Sequence, residues 1–227
     1  MTLLKNIVWK IMEIFKKLIE KREKPRRSLV KKPKLETNWK ITPPIIAAIL
    51  KARYATAKLP ENMCLDEVVS IIEKNKIRYI KVQEKTRVPW EVVASIHYLE
   101  GGLDFTRILH NGERLPVIKT KLVPKGRGPF YNWEEAAVDA LLMTKRPVYW
   151  TIANTLDYIE RYNGLGYRKY HPDVPSPYLW SGTQFYKKGK YASDGKFDKN
   201  LVSKQIGAVP IIKALLMDSH KSMLEFE

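Results

Sequence analysis

The chain has 227 residues, 44% of them apolar, with 12 Tyr, 6 Trp and 6 Phe, which excludes a wholly disordered protein and suits one domain with an extension. Lys and Arg outnumber Asp and Glu by 41 to 24, so the partners to expect are polyanions: nucleic acid, acidic lipid or an anionic cell wall. The single cysteine, Cys64, excludes an intramolecular disulfide and a cysteine-based zinc site, and its expected role is that of a small buried apolar residue.

The first 40 residues hold 13 basic and 4 acidic side chains, net +9, leaving 28 and 20, net +8, for the other 187. Over half of the excess therefore sits in the N-terminal tail. A nucleic-acid reader concentrates its basic residues on the folded domain, so this distribution argues against that class. From Leu3 to Ile19, Leu4, Ile7, Val8, Ile11, Ile14, Phe15 and Leu18 recur at helical spacing with lysines between them. Residues 1–20 thus read as a basic amphipathic helix, suited to an anionic membrane surface, to the following domain or to another chain. Residues 21–41 carry charge runs and spaced prolines and read as a basic linker, with the domain spanning 42–227. No stretch has the length and purity of a membrane-spanning helix, and no apolar run followed by a small-residue cleavage site marks a secretory signal.

Within the domain, Thr42–Lys58 reads as a helix and Leu65–Lys85 as one or two more. Pro89 suits a helix start, and Trp90–Glu100 follows, stopped by Gly101-Gly102. Phe105–Leu109 and Arg114–Ile118 flank His-Asn-Gly-Glu, and Asn111-Gly112 predicts a type I′ hairpin and a small two-stranded sheet there. Trp133–Thr144, Thr151–Arg161 and Asn200–Leu216 read as further helices, the last kinked at Pro210. The expected fold is mainly α, with a small β-hairpin beside the helix that ends at Glu100.

Glu100 is the residue most suggestive of chemistry. A carboxyl at the end of a buried apolar helix has its charged form disfavoured by desolvation, and the two following glycines admit a ligand to the backbone. Such a protonated acid is what glycosidic cleavage requires. A Glu in this position is more commonly only a solvated helix end. His97, on the same helix, reads as a core histidine. No His, Asp and Glu cluster has metal spacing, so neither metal nor cofactor is expected.

The runs Ile96-His97-Tyr98-Leu99-Glu100-Gly101-Gly102-Leu103-Asp104-Phe105 and Leu109-His110-Asn111-Gly112-Glu113 resemble bacterial and phage peptidoglycan hydrolases of the lysozyme superfamily. Glu160-Arg161-Tyr162-Asn163-Gly164-Leu165-Gly166-Tyr167 is similar to the Tyr-Asn-Gly motif of soluble lytic transglycosylases and goose-type lysozymes. Ser176 to Thr183, Lys188 to Tyr191 and Asp194 to Phe197 resemble the late groove wall of that family. The resemblance covers about Thr42 to Leu216. It implies a lysozyme-like fold, a muramidase acting on bacterial peptidoglycan at the cell wall, and Glu100 as catalytic acid. For the second carboxylate it leaves Glu113, at the spacing of a water-positioning Asp in goose-type lysozymes, or Asp104, whose commoner role is to cap a turn.

Tyr162, Asn163, Tyr178, Trp180 and Gln184 form the expected carbohydrate set, because sugar CH faces pack on rings and amides bond hydroxyl and N-acetyl groups. Core packing is the competing role for each aromatic. The chain departs from these relatives in lacking a Gly-Leu-Met-Gln segment, carrying Val123 to Phe130 instead, so acetyl-group contacts do not carry over. Two rival expectations stand beside a hydrolytic muramidase: a lytic transglycosylase leaving a 1,6-anhydro product, and a catalytically idle wall-binding or membrane-surface protein. A phage lysis protein released through a membrane lesion would need no signal to reach the wall.

Overall fold

A computed structural model describes residues 43–60, 63, 65–193 and 195–218. The chain divides between Ile41 and Thr42, and every described residue belongs to the second unit. The expected amphipathic helix and linker, and Cys64, lie outside the described residues.

The unit is mainly helical, with one small antiparallel sheet among the described residues. In chain order the helices are α1 Pro43–Thr56, α2 Asp66–Lys74, α3 Lys76–Thr86, α4 Trp90–Gly101, α5 Trp133–Leu142, α6 Ile152–Asn163, α7 Gly166–Tyr170, α8 Pro177–Trp180 and α9 Ala208–Asp218. Strands β1 Lys190–Ser193 and β2 Lys196–Asp198 pair between α8 and α9.

The centre of the core is α4, in which every residue from Trp90 to His97 is buried. It packs on α3, α6 and α9, while α1 lies along α6 and α8 bridges α6 and α9. Burying a large apolar side chain contributes roughly 1.5–3 kcal/mol, and α4 places Trp90, Val92, Val93 and Ile96 at 3% exposure or less. The helix that carries Glu100 is therefore fixed by the core of the domain. His97 belongs to this core: its Nδ1 lies 3.1 Å from Tyr79 Oη, and its ring sits 4.5 Å from those of Phe105 and Trp133. Burial pushes its pKa down to about 4, so it is a neutral packing element at physiological pH.

Local chemistry sets the helix boundaries. The side chains of Asn132 and Thr151 accept the Glu135 and Asn154 amides, capping α5 and α6. Asn75 breaks the 65–85 stretch into two helices, donating from its side chain to the Ile71 carbonyl. Gly102 ends α4 in the left-handed region, φ 59°, with its amide returned to the carbonyls of His97 and Tyr98.

Two expectations need correction. The sheet does not form around Asn111-Gly112; only single bridges, Arg107 with Arg114 and Val117 with Phe130, occur there. A type I′ turn requires positive φ at both central residues. Gly112 has it and Asn111 does not, because the Asn111 side chain accepts the Glu113 amide, the alternative turn that Asn favours. The two-stranded sheet instead forms at 190–198, across a turn through Gly195 with φ 70°. The last helix begins at Ala208, not Asn200. Pro210 then falls in its first turn, where a missing N–H leaves no helical bond unmade, so it starts the helix and does not kink it.

Candidate active site

Glu100 occupies the last turn of α4, where the buried helix reaches a cavity of about 540 Å³. Across it stand Asn163 and Gly164 at the end of α6, Tyr167 and Tyr170 of α7, Tyr178 of α8, Lys190 and Tyr191 of β1, and Gln205 before α9. Glu100 is the one carboxylate among the described residues lining this space. A second cavity of about 420 Å³, bounded by Arg87, Lys145, Arg146 and Trp150, has no acid among the described residues that line it.

Tyr178 Oη donates a 2.7 Å hydrogen bond to Glu100 Oε1. Burial raises the pKa of Glu100, and the bond from Tyr178 partly offsets that rise. Burial and the nearby Glu100 charge push the phenols of Tyr178 and Tyr162 well above their ordinary range, so both remain neutral donors. Tyr162 Oη is directed to the Leu109 carbonyl at 2.9 Å, tying α6 to the segment after α4. The C-terminal carbonyls of α4 find a side-chain partner in Gln205, whose Nε2 donates to Leu99 at 2.9 Å and to Tyr98 at 3.3 Å. This is the terminus that bears the acid, and the Leu99 carbonyl there has no amide of a following turn to accept, while that of Tyr98 already takes the Gly102 amide.

A buried ion cluster fixes the opposite wall. Glu160 on α6 is 5% exposed and accepts from Arg168 of α7 at 2.7 Å, and Arg168 also pairs with Asp157. Breaking a buried pair by removing one partner costs about 3–5 kcal/mol. The cluster thus locks α7 onto α6 and sets where Gly166 and Tyr167 face the cavity.

Of the residues expected from sequence, Glu100, Tyr178 and Asn163 border the cavity together, and Tyr162 lies close enough to feel the charge of Glu100. Trp180 does not border it: 1% exposed, it packs edge-on to Phe185 with Arg53 above the ring. Its place is core: the short α8 buries Pro177, Leu179 and Trp180 and packs on α6 and α9. Gln184 bridges elsewhere, accepting the Lys58 amide and donating to the Thr56 carbonyl, which secures the end of α1. Glu113 Oε1 accepts the amides of Lys121 and Leu122 and the side chain of Asn111, and it is not among the cavity residues. Asp104 folds onto its own turn, taking the Thr106 amide and hydroxyl at 2.9 and 2.7 Å, with Arg107 beside it. These bonds hold its carboxyl below the usual range.

Tyr167, Lys190 and Tyr191 were legible only as parts of longer motif runs, Tyr170 was not singled out, and Gln205 carried no sequence signal. The signal that could have found Tyr170 is the density of aromatic residues just after the Asn-Gly of α6. Among the described residues, no group of three or more His, Cys, Asp or Glu side chains is placed to hold a metal ion, and no helix is long and apolar enough to cross a membrane. No protein-family model, curated protein or solved structure matches the chain.

Proposed function

We propose that the chain has a lysozyme-like fold and is a muramidase that cleaves the glycan strands of bacterial peptidoglycan, acting at the cell wall without a cofactor. The observation that carries this reading is a single carboxyl with a raised pKa, hydrogen-bonded by Tyr178, in a cavity walled by tyrosines and amides. The resemblance of the runs around Glu100, Asn163 and Tyr178 to lysozyme-superfamily enzymes points the same way.

Protonated Glu100 donates to the glycosidic oxygen as the bond from C1 to that oxygen breaks, and the bonding electrons leave with the oxygen. Tyr178 then supports the carboxylate that remains. The rings of Tyr167, Tyr170 and Tyr191 suit sugar faces, and Asn163 suits hydroxyl or N-acetyl groups. In hydrolysis, water adds to C1 and gives up a proton to Glu100 or to a second carboxylate.

A second reading follows from Glu100 standing as the one carboxylate among the described cavity residues. With no base opposite, the muramic 6-hydroxyl attacks C1 and returns its proton to Glu100, the lytic transglycosylase outcome.

Mass spectrometry of fragments released from native and chemically deacetylated peptidoglycan tests both readings. Reducing-end muramic acid marks hydrolysis, and fragments lighter by one water mark the transglycosylase. If the wild type releases nothing that Glu100→Gln does not, the enzyme reading fails and a wall-binding protein takes its place.

A further inference from the structure

The segment from Arg114 to Trp133 contains five cations, Arg114, Lys119, Lys121, Lys125 and Arg127, and no acidic residue. At its tip, Ile118, Leu122 and Val123 are 61%, 56% and 78% exposed. These aliphatic side chains alternate with Lys119, Lys121 and Lys125, all exposed. Scattered single apolar residues on a surface need no explanation, but three on one short tip ringed by like charges do.

The tip is braced from below. Glu113 Oε1 accepts the amides of Lys121 and Leu122 at 2.9 and 2.8 Å, so this carboxylate is engaged by the backbone of the tip. The Thr120 amide bonds the Arg127 carbonyl, the Gly126 amide bonds the Thr120 carbonyl, and Val117 pairs with Phe130 in both directions. Gly128, at φ 117°, passes so near the Ile118 carbonyl oxygen that a Cβ would stand 2.7 Å from it. A separate small core of Ile108, Val117, Phe130 and Ala136 lies beneath. The three aliphatic side chains are thus left exposed on a hydrogen-bonded frame, while Ile108, Val117, Phe130 and Ala136 fill the core.

We propose that this loop, 118–125, docks the folded domain on an anionic lipid bilayer. Ile118, Leu122 and Val123 enter the boundary between headgroups and acyl chains, while Lys119, Lys121 and Lys125 meet the lipid phosphates. The combination of aliphatic tip and basic collar is what an interfacial anchor needs: the first term is area removed from water, and the second is attraction to a negative surface. An anionic wall polymer would satisfy the lysines but leave the three aliphatic side chains in water. The surface is distinct from the cavity at Glu100, and the proposal does not depend on the reaction assigned there.

The test uses the full chain with Cys64→Ser and Val123→Cys, carrying an environment-sensitive fluorophore at 123, with Asp173→Cys as an exposed control. On vesicles of phosphatidylglycerol and phosphatidylcholine, the label at 123 shifts to the blue and is quenched by nitroxide-bearing lipid, and the label at 173 does neither. Adding Lys119→Ala, Lys121→Ala and Lys125→Ala weakens vesicle partitioning about five-fold per lysine, on the order of 100-fold together. A label at 123 that stays in water while the protein sediments with the vesicles overturns the proposal. So does failure to bind vesicles, or a shift produced by soluble teichoic acid and not by lipid.

Discussion

The hydroxyl of Tyr178 donates to Glu100 Oε1 at 2.7 Å, and burial acts on the same carboxyl in the opposite sense. The bond stabilises the ionised form and burial stabilises the protonated form, so the pair sets the pH above which Glu100 ceases to be an acid. Tyr178→Phe removes the donor and leaves the ring. The alkaline limb of the kcat/KM profile on peptidoglycan then moves to higher pH, because the remaining influence raises the pKa. At the same time kcat falls about ten- to a hundred-fold, from loss of a bond of roughly 1.5–3 kcal/mol to the carboxylate formed on proton transfer. An unshifted limb would show that Tyr178 does not control this proton.

Glu100→Gln separates catalysis from stability. A carboxyl whose folded pKa lies above its unfolded value binds more protons folded than unfolded, so stability is lost as pH rises from the unfolded pKa of about 4.3 through the folded one. Gln is neutral throughout and still accepts from Tyr178. The variant should therefore be inactive yet melt higher than wild type at neutral pH, with the difference closing below about pH 4. Equal melting temperatures across that range would mean that Glu100 is not destabilised by burial in the native protein.

The longer helices, apart from the start of the last one, and the position of Glu100 were legible because periodic apolar residues and Pro or Gly punctuation act locally, whereas the short α7 and α8 were not. Trp90 to Gly101 needed only its own pattern and the two glycines. The sheet was misplaced because a turn at Asn111-Gly112 depends on which bond the Asn111 side chain makes, and Asn serves two incompatible turns. Trp180 was expected in the carbohydrate set because its ring suits a sugar face and the Ser176 to Thr183 run resembles a groove wall, but a four-residue helix buried it. Gln205 gave no signal, since its partners are backbone carbonyls more than a hundred residues away. The candidate site is assembled by tertiary contacts from four helices, a strand and a loop, and no local pattern encodes that.

Glu113 can be tested as brace or base with two substitutions. Its Oε1 accepts two loop amides and an Asn side chain, work a Gln carbonyl performs equally. Glu113→Gln should keep most activity, whereas Glu113→Ala should lose about 1–3 kcal/mol of stability from the stranded donors and expose residues 119–127 to protease. If Gln abolishes activity as completely as Ala while melting like wild type, the carboxylate acts as a base and the brace is secondary.

Gln205 links the α9 approach to the helix end that carries the acid, donating to Leu99 and Tyr98. In the proposed muramidase it is a positioning residue, so Gln205→Leu should lower kcat more than it raises KM, because the carboxyl is misaimed while the rings proposed to bind sugar stay in place. Two bonds to partly exposed carbonyls contribute about 1–2 kcal/mol, and the melting temperature should fall accordingly. A long basic side chain can also donate to helix-terminal carbonyls, so Gln205→Lys should restore a large part of kcat. Restored stability without restored kcat would mean that the amide touches substrate directly, and its place on the cavity wall would then be the reason it is there.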